Sequence, residues 1–139
     1  MATARVSESV DKNADEVFAL LGNFGVVKSD LIKDLKMHGS GIGCVRELTL
    51  ADGAKLMERM ENHDTNTRTL TYSIQGDDHP LPFKAYVATL VVTPTGPKQC
   101  RVDWFGNFEP KGVPEADAIK LAQGIYTGAI KATVKMLAS

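Results

Sequence analysis

Alternating apolar and polar positions run through most of this chain and predict β-strands. Alternation of this kind is typical of a strand that buries one face. The clearest segments are TLTYSI at 69–74, FKAYVATLVVT at 83–93 and CRVDWFGNF at 100–108. Weaker alternation predicts further strands over 4–10 and 32–38. Together with a hairpin in the middle of the chain, these segments predict an antiparallel sheet of six to seven strands.

The hairpin is predicted by the Asp52-Gly53 pair, which separates two alternating runs within residues 43–61. A two-residue loop would place an apolar row opposite a charged row, which a sheet with one buried face disfavours. A three-residue loop that ends at Gly53 instead collects the cysteine, leucine and methionine side chains on one face. In that register Arg46 lies directly opposite Glu58, on the apolar face.

Two helical regions interrupt and follow the strands. Asn13 followed by Glu16 is a capping box, which predicts a short helix that ends near Gly22. We expect a second short helix over 25–31. Pro114 near a first turn opens a long C-terminal helix. The apolar stripe of that helix consists of Ile119, Ala122, Tyr126, Ala129, Thr133 and Leu137.

This order of elements predicts an α+β fold with one domain over residues 1–139. A sheet that curves around the final helix buries the apolar faces of both. We expect a pocket between the two, because small residues on the helix leave room there. These small residues are Ala122, Gly124, Gly128, Ala129 and Ala132.

Composition and charge narrow the possible partners. The chain is 43% hydrophobic and 24% charged, with a net charge of −1. Such a balance predicts neither a nucleic-acid partner nor a membrane surface. No signal peptide or membrane-spanning run is apparent, so the expected location is the cytoplasm. Cys44 and Cys100 are expected to be two buried thiols rather than a disulfide.

Motifs typical of cofactor or metal sites are weak. The run GSGIG at 39–43 resembles a phosphate loop, but its spacing differs from the G-x-G-x-x-G fingerprint and a strand follows it. We interpret it as a glycine-rich turn. His38, His63 and His79 have no metal-ligand spacing and are expected at the surface, His79 being the one of interest. The sequence therefore predicts no metal and no cofactor.

The Arg46–Glu58 pair has two interpretations of equal weight. A buried ion pair can fix the register of two strands, although its desolvation offsets much of the attraction. Alternatively, the two side chains face a pocket, where a glutamate moves a proton and an arginine holds developing negative charge. Carboxylates with a shifted pKa indicate functional sites only in some proteins. The residues alone therefore leave both interpretations open.

Five segments give the chain a family resemblance: ADEVFALLGNFG, GIGCVRELTLADG, ERMENHDTNTRTLTYSI, YVATLVVTP and RVDWFGNFEP. Over essentially its whole length, the chain resembles the START-like (SRPBCC) superfamily of the polyketide cyclase/dehydrase type. This resemblance implies a helix-grip fold, a curved antiparallel sheet around a long C-terminal helix, with two short helices after the first strand. The chain is most similar to plant lachrymatory factor synthases and their bacterial relatives, and fern-type hydroxynitrile lyases are also similar.

The resemblance also implies site residues. The GCVR segment matches the family's pocket arginine at Arg46, the glutamate before the D…YS segment is Glu58, and the Y-x-A-T tyrosine is Tyr86. Abscisic acid receptors share the scaffold, but Pro80 stands where their latch has an arginine, which argues against hormone sensing. The expected ligand-binding residues are Leu48, Leu56, Met60, Tyr72, His79, Leu81, Trp104, Phe108 and Tyr126. The aromatic members of this set are also typical of a core.

These residues lead to three hypotheses: an enzyme, a ligand-binding protein, and a structural or interaction domain. The first is a cofactor-free lyase or isomerase acting on a small, partly apolar substrate. Glu58 would transfer a proton, Arg46 would bind an oxyanion, and Tyr86 would orient the substrate or relay the proton. The second is a carrier or sensor of an apolar or amphipathic ligand, and the third is a domain with a filled pocket. A monomer and a homodimer are equally compatible with the sequence.

Overall fold

The structure, a computed structural model, describes residues 1–26 and 31–138. Its elements, in order, are β1 (Ala2–Val10), α1 (Ala14–Leu21), β2 (Ile32–His38), β3 (Val45–Leu50), β4 (Lys55–Asp64), β5 (Thr69–Ile74), β6 (Phe83–Gly96), β7 (Gln99–Pro110) and α2 (Glu115–Ala138). The second short helix expected over 25–31 falls largely on residues 27–30, which lie outside the described residues. Neither helix in the described part of the chain is long and apolar enough to cross a membrane.

The seven strands form one antiparallel sheet in the order β1-β7-β6-β5-β4-β3-β2. Helix α2 packs against β1, β7 and α1, so the core lies between the helices and the concave face of the sheet. This arrangement is the α+β helix-grip fold, and it confirms the fold class expected from the sequence. Both cysteines are buried and carry free thiols, as expected.

The β3–β4 hairpin has the predicted register. Arg46 pairs with Glu58, and Leu48 pairs with Leu56. The loop has three residues, and Gly53 adopts the left-handed conformation (φ +89°) that this kind of turn requires. Turn chemistry and the separation of apolar from polar rows were therefore sufficient to place the two charged residues opposite each other.

Helix α1 begins and ends as predicted. The Asn13 side chain accepts hydrogen bonds from the backbone N–H groups of Asp15 (2.9 Å) and Glu16 (3.2 Å). At the other end, the Gly22 N–H donates to the Phe18 carbonyl at 2.8 Å. These contacts satisfy backbone groups that have no partner within the helix.

The small residues of α2 divide between two faces of the helix. Ala122 and Ala129 are buried toward the sheet, in line with the predicted stripe. Gly124 and Gly128 are exposed, and no atom lies within 4 Å of a Cβ built at either position. At 3.6 residues per turn these glycines point away from the buried stripe, so the expectation that they make room beneath the helix is wrong.

A β-bulge in β6 brings two aromatic side chains to the same face of the sheet. Lys84 pairs with Glu109 and Val87 pairs with Asn107, so two residues of β6 oppose one residue of β7 between these pairs. In a regular strand, residues three positions apart point to opposite faces. With the extra residue, Phe83 and Tyr86 are both buried on the inner face.

The bulge leads to a prediction about stability at Ala85, because the φ of this residue, +51°, lies in the left-handed region. That conformation costs an alanine about 1–2 kcal/mol, whereas glycine adopts it freely. We expect Ala85→Gly to raise the free energy of unfolding by about 0.5–1 kcal/mol in urea denaturation, after the greater chain entropy of glycine is subtracted. Ala88→Gly, in the same strand but without a positive φ, is the control and should lower the free energy of unfolding. A loss of stability in both variants would contradict this account of the bulge.

Candidate functional site

Arg46 and Glu58 form a buried ion pair on the inner face of the hairpin. Arg46 Nε donates to Glu58 Oε1 at 2.7 Å, and Nη2 lies 2.6 Å from the same oxygen. Only 12% of the Arg46 side chain and 9% of the Glu58 side chain are exposed. The second oxygen, Oε2, accepts no hydrogen bond from any residue that the structure describes. Arg46 thus fixes one carboxylate oxygen, and the other has no hydrogen-bond partner within the described ranges.

Phe24 supports the guanidinium of Arg46. The guanidinium carbon lies 3.9 Å from the centroid of the Phe24 ring and 5.5 Å from that of the Tyr72 ring. Nη1 also makes a long contact, 3.5 Å, with the Phe24 carbonyl oxygen. A cation stacked on an aromatic face at this distance is stabilised by the ring quadrupole, which fixes the plane of the guanidinium. Phe24 could not be predicted as a site residue from the sequence, because it follows α1 and belongs to no periodic element.

A cavity of about 130 Å³ lies beside the ion pair, between the sheet and α2. Eight of the residues expected at the site line it: Arg46, Leu48, Leu56, Glu58, Tyr72, Leu81, Tyr86 and Trp104. Other apolar residues complete the wall, among them Ile74 from β5, Phe83 from β6, and Ile125 and Ala129 from α2. Among the lining side chains that the structure describes, the polar groups besides the ion pair are the hydroxyls of Tyr72 and Tyr86 and the Trp104 indole, and the others are apolar.

Four residues expected to bind ligand lie outside this wall. Met60 lines a separate cleft near α1, and Phe108 packs behind Phe83 with ring centroids 4.6 Å apart. Tyr126 lies behind Tyr86, away from the cavity. His79 belongs to the β5–β6 loop, where its carbonyl accepts a hydrogen bond from Lys111 Nζ at 2.7 Å. The alternation of β4 and β7 identified the inner face correctly, but not which part of that face borders the cavity.

Behind the cavity wall, two tyrosines meet at a glycine. The hydroxyls of Tyr86 and Tyr126 are hydrogen-bonded to each other. A Cβ at Gly106 would overlap the Tyr126 hydroxyl, so only glycine admits this contact. The Trp104 ring stacks on the Tyr126 ring with centroids 4.7 Å apart. The same tryptophan donates its Nε1–H to the Tyr72 hydroxyl at 3.2 Å.

The tyrosine hydroxyls are held in their neutral form. Burial raises the pKa of Tyr72, Tyr86 and Tyr126 above the usual value of a phenol. The negative charge of Glu58 raises the pKa of Tyr72 and Tyr126 further. At neutral pH these hydroxyls are therefore hydrogen-bond donors.

A larger cleft, of about 660 Å³, opens between the end of α1 and the β2–β3 loop. It contains Cys44, Met60 and His63, and the Phe24 ring that stacks on Arg46 also lines it. None of the described residues that line this cleft belongs to a charged pair. Within the described ranges, no group of three or more histidine, cysteine, aspartate or glutamate side chains could hold a metal ion. The chemistry is concentrated at the smaller cavity, which is the candidate site.

Comparison with solved structures shows the same fold in several proteins. A Bacillus cereus protein, XoxI, is 31% identical with a TM-score of 0.86, and the match covers 98% of this chain and 95% of that one. An uncharacterized protein from Bacillus thuringiensis is 30% identical with a TM-score of 0.86, covering 99% and 100%. Norcoclaurine synthase from Thalictrum flavum, solved with dopamine and hydroxybenzaldehyde, is 18% identical with a TM-score of 0.73, covering 97% and 85%. The last likeness concerns the fold alone.

A family assignment follows from the sequence itself. No curated protein matches the chain significantly. Residues 1–138, however, match the family described as polyketide cyclase / dehydrase and lipid transport. The helix-grip fold and the cavity between its sheet and long helix agree with that match. The chain therefore belongs to the polyketide cyclase / dehydrase and lipid transport family.

Proposed function

We propose that this protein is a cofactor-free lyase or isomerase that transfers a proton on a small, partly apolar substrate. Glu58 is the general base and acid, Arg46 stabilises negative charge on a substrate oxygen, and Tyr86 orients that substrate. The observation that supports the proposal is the position of Glu58 at the cavity wall, with an Oε2 that accepts no hydrogen bond from residues 1–26 or 31–138. A carboxylate in such a place can take a proton directly from a bound molecule.

The two carboxylate oxygens of Glu58 have different roles in this proposal. Oε1 is held by Arg46, which fixes the carboxylate, and Oε2 accepts the substrate proton. The electron pair of the broken C–H or O–H bond moves into the substrate, where negative charge develops on an oxygen. Hydrogen-bond donors from Arg46 and Tyr86 stabilise that charge. Return of the proton from Glu58 to another substrate atom completes an isomerisation. In a lyase reaction the electron pair expels a leaving group, which takes the proton from Glu58.

Energetics support a functional role for the ion pair. Burying two charges costs several kcal/mol per ion, and replacement of such a pair by apolar residues is often neutral or stabilising. Register alone does not require these charges, since the Asp-Gly turn and the apolar rows already specify it. A pocket that needs a fixed carboxylate beside a cation does require them.

The test is a variant that keeps the shape of the site but removes its base. Small aldehydes, ketones and cyanohydrins are incubated with the protein in D₂O, and cleavage or deuterium exchange is followed by NMR. We expect Glu58→Gln to lower the rate by about 100-fold or more, because general acid–base catalysis typically contributes that much. Substrate affinity, measured by titration, should change little.

Glu61→Gln is the matched control. Glu61 lies in the same strand and also pairs with an arginine, Arg59, and with Ser73 Oγ at 2.7 Å. Its side chain is 33% exposed and does not line the cavity. The rate should be unaffected in this variant. Turnover that survives Glu58→Gln, or turnover that falls equally in both variants, would contradict the proposed role of Glu58.

A non-catalytic carrier or sensor is the alternative, and one observation favours it. The two charges of Arg46 and Glu58 neutralise each other, which suits the anchoring of a polar end group in an otherwise apolar wall. The cavity volume of about 130 Å³ suits a small molecule rather than a long acyl chain. Under this alternative, wild type and Glu58→Gln bind compounds of the panel and neither variant changes them chemically.

A further inference from the structure

We propose that Tyr126, which does not touch the cavity, is a positioning residue that sets the direction of the Tyr86 hydroxyl proton. Tyr126 donates its proton to the Tyr86 oxygen, so that Tyr86 presents its own proton to an oxygen acceptor in the cavity. This inference deepens the proposed function, since it concerns how the same site recognises a carbonyl or oxyanion. It rests on that function only in placing a ligand beside Tyr86.

The direction of the hydrogen bond between the two tyrosines follows from the number of partners that each hydroxyl has. In the part of the chain that the structure describes, the Tyr126 hydroxyl has one hydrogen-bond partner, the Tyr86 hydroxyl. Tyr126 is fully buried, whereas Tyr86 lines the cavity. If Tyr86 donated to Tyr126, the Tyr126 proton would be buried without an acceptor, which is costly. If Tyr126 donates, its proton has an acceptor, and the remaining proton belongs to Tyr86, which is also buried but lines the cavity, where the oxygen of a bound molecule can accept that proton.

The surroundings of Tyr126 hold it in this position. Its ring stacks on Trp104 at an interplanar angle of 12°. Gly106 leaves the space in which the hydroxyl sits, and any larger residue there would displace it. Trp104 acts on the second cavity tyrosine in the same way, because its Nε1–H donates to the Tyr72 hydroxyl. In both cases a neighbouring side chain, Tyr126 behind the wall or Trp104 within it, donates to a lone pair of the phenol and leaves the phenol's own proton for the cavity.

The test compares two probes of nearly equal shape, cyclopentanone and methylenecyclopentane. The first has a carbonyl oxygen where the second has a methylene group. Titration by NMR gives a dissociation constant for each probe. We expect wild type to prefer the ketone by about tenfold, the strength of one good hydrogen bond. We expect Tyr126→Phe to reduce that ratio by about threefold or more through weaker ketone binding, with the alkene unaffected.

Thr133→Val is the matched control, because it also removes one buried hydroxyl from α2. Thr133 is 1% exposed, and its hydroxyl has no hydrogen-bond partner among the described residues. It does not line the cavity, so the probe ratio should stay at the wild-type value. A fall of the ratio in this variant as well would overturn the inference, since any lost hydroxyl on the helix would then have the same effect.

The remaining outcomes are equally decisive. An unchanged ratio in Tyr126→Phe makes Tyr126 purely structural, and a raised ratio means that the proton runs from Tyr86 to Tyr126. Failure of wild type to bind cyclopentanone also overturns the inference. Should Tyr126→Phe not fold, NMR of wild type decides, because the slowly exchanging hydroxyl proton must show cross-peaks to the Tyr126 ring as its bonded carrier. Binding needs no turnover, so an inactive protein that keeps the ketone preference refutes the proposed catalysis and not this inference.

Discussion

Arg46→Met is expected to lower the free energy of unfolding by about 3–5 kcal/mol at neutral pH, the cost of leaving a buried charge without its partner. Glu58 is 7% exposed, and no other cation contacts its carboxylate in the described part of the chain. Methionine approximates the length of the lost side chain and packs on Phe24, so the cavity wall stays filled.

The double variant Arg46→Met/Glu58→Leu completes this experiment. With both charges gone, we expect the free energy of unfolding to return to the wild-type value or above it, since apolar replacements of buried pairs are often stabilising. Urea denaturation of wild type, Arg46→Met, Glu58→Leu and the double variant gives the coupling energy. Stability that stays well below wild type in the double variant would show that the fold depends on the ion pair itself. The structural interpretation of the pair would then be favoured over the functional one.

The hairpin shows which part of the site could be predicted from the sequence. Its register depends on a local turn and on alternation within two adjacent strands, and both are visible within 43–61. The opposition of Arg46 and Glu58 followed from these local rules alone. Whether Oε2 of the glutamate is free could not be predicted, because that depends on side chains brought there by distant segments.

Contacts between distant segments account for the features that sequence reasoning missed. Phe24 reaches Arg46 only because the chain after α1 folds back over β3. His79 lies in a loop whose position depends on Lys111, which donates to the carbonyls of Asp77 (2.6 Å) and His79 (2.7 Å). Ala85 lies in a bulge that interrupts β6, and no glycine, asparagine or aspartate at that position indicates the bulge in the sequence. Periodicity assigns a face to each residue of an element, but it does not describe how elements meet.

A change at Gly106, which lies against Tyr126, is expected to cause a large loss of folding stability. A methyl group at Gly106 would overlap the Tyr126 hydroxyl, and two ring atoms of Tyr86 would lie 3.3 and 3.4 Å from it. The Tyr126 ring is stacked on Trp104 and cannot withdraw without disturbing that contact. We expect Gly106→Ala to lower the free energy of unfolding by about 2–3 kcal/mol, the upper part of the range for overpacking in a core.

The contact between these two residues is tested by a second-site change. Tyr126→Phe removes the overlapping oxygen, so Gly106→Ala/Tyr126→Phe should be more stable than Gly106→Ala alone, even though Tyr126→Phe by itself removes a buried hydrogen bond. Gly128→Ala on the exposed face of α2 is the control and should raise stability by up to about 1 kcal/mol, because no atom lies near its Cβ position. Additive effects of the Gly106 and Tyr126 changes would contradict the overlap. Strong coupling would show that a glycine in the sheet is kept for a hydroxyl on the helix, at the point where the structure supports Tyr86.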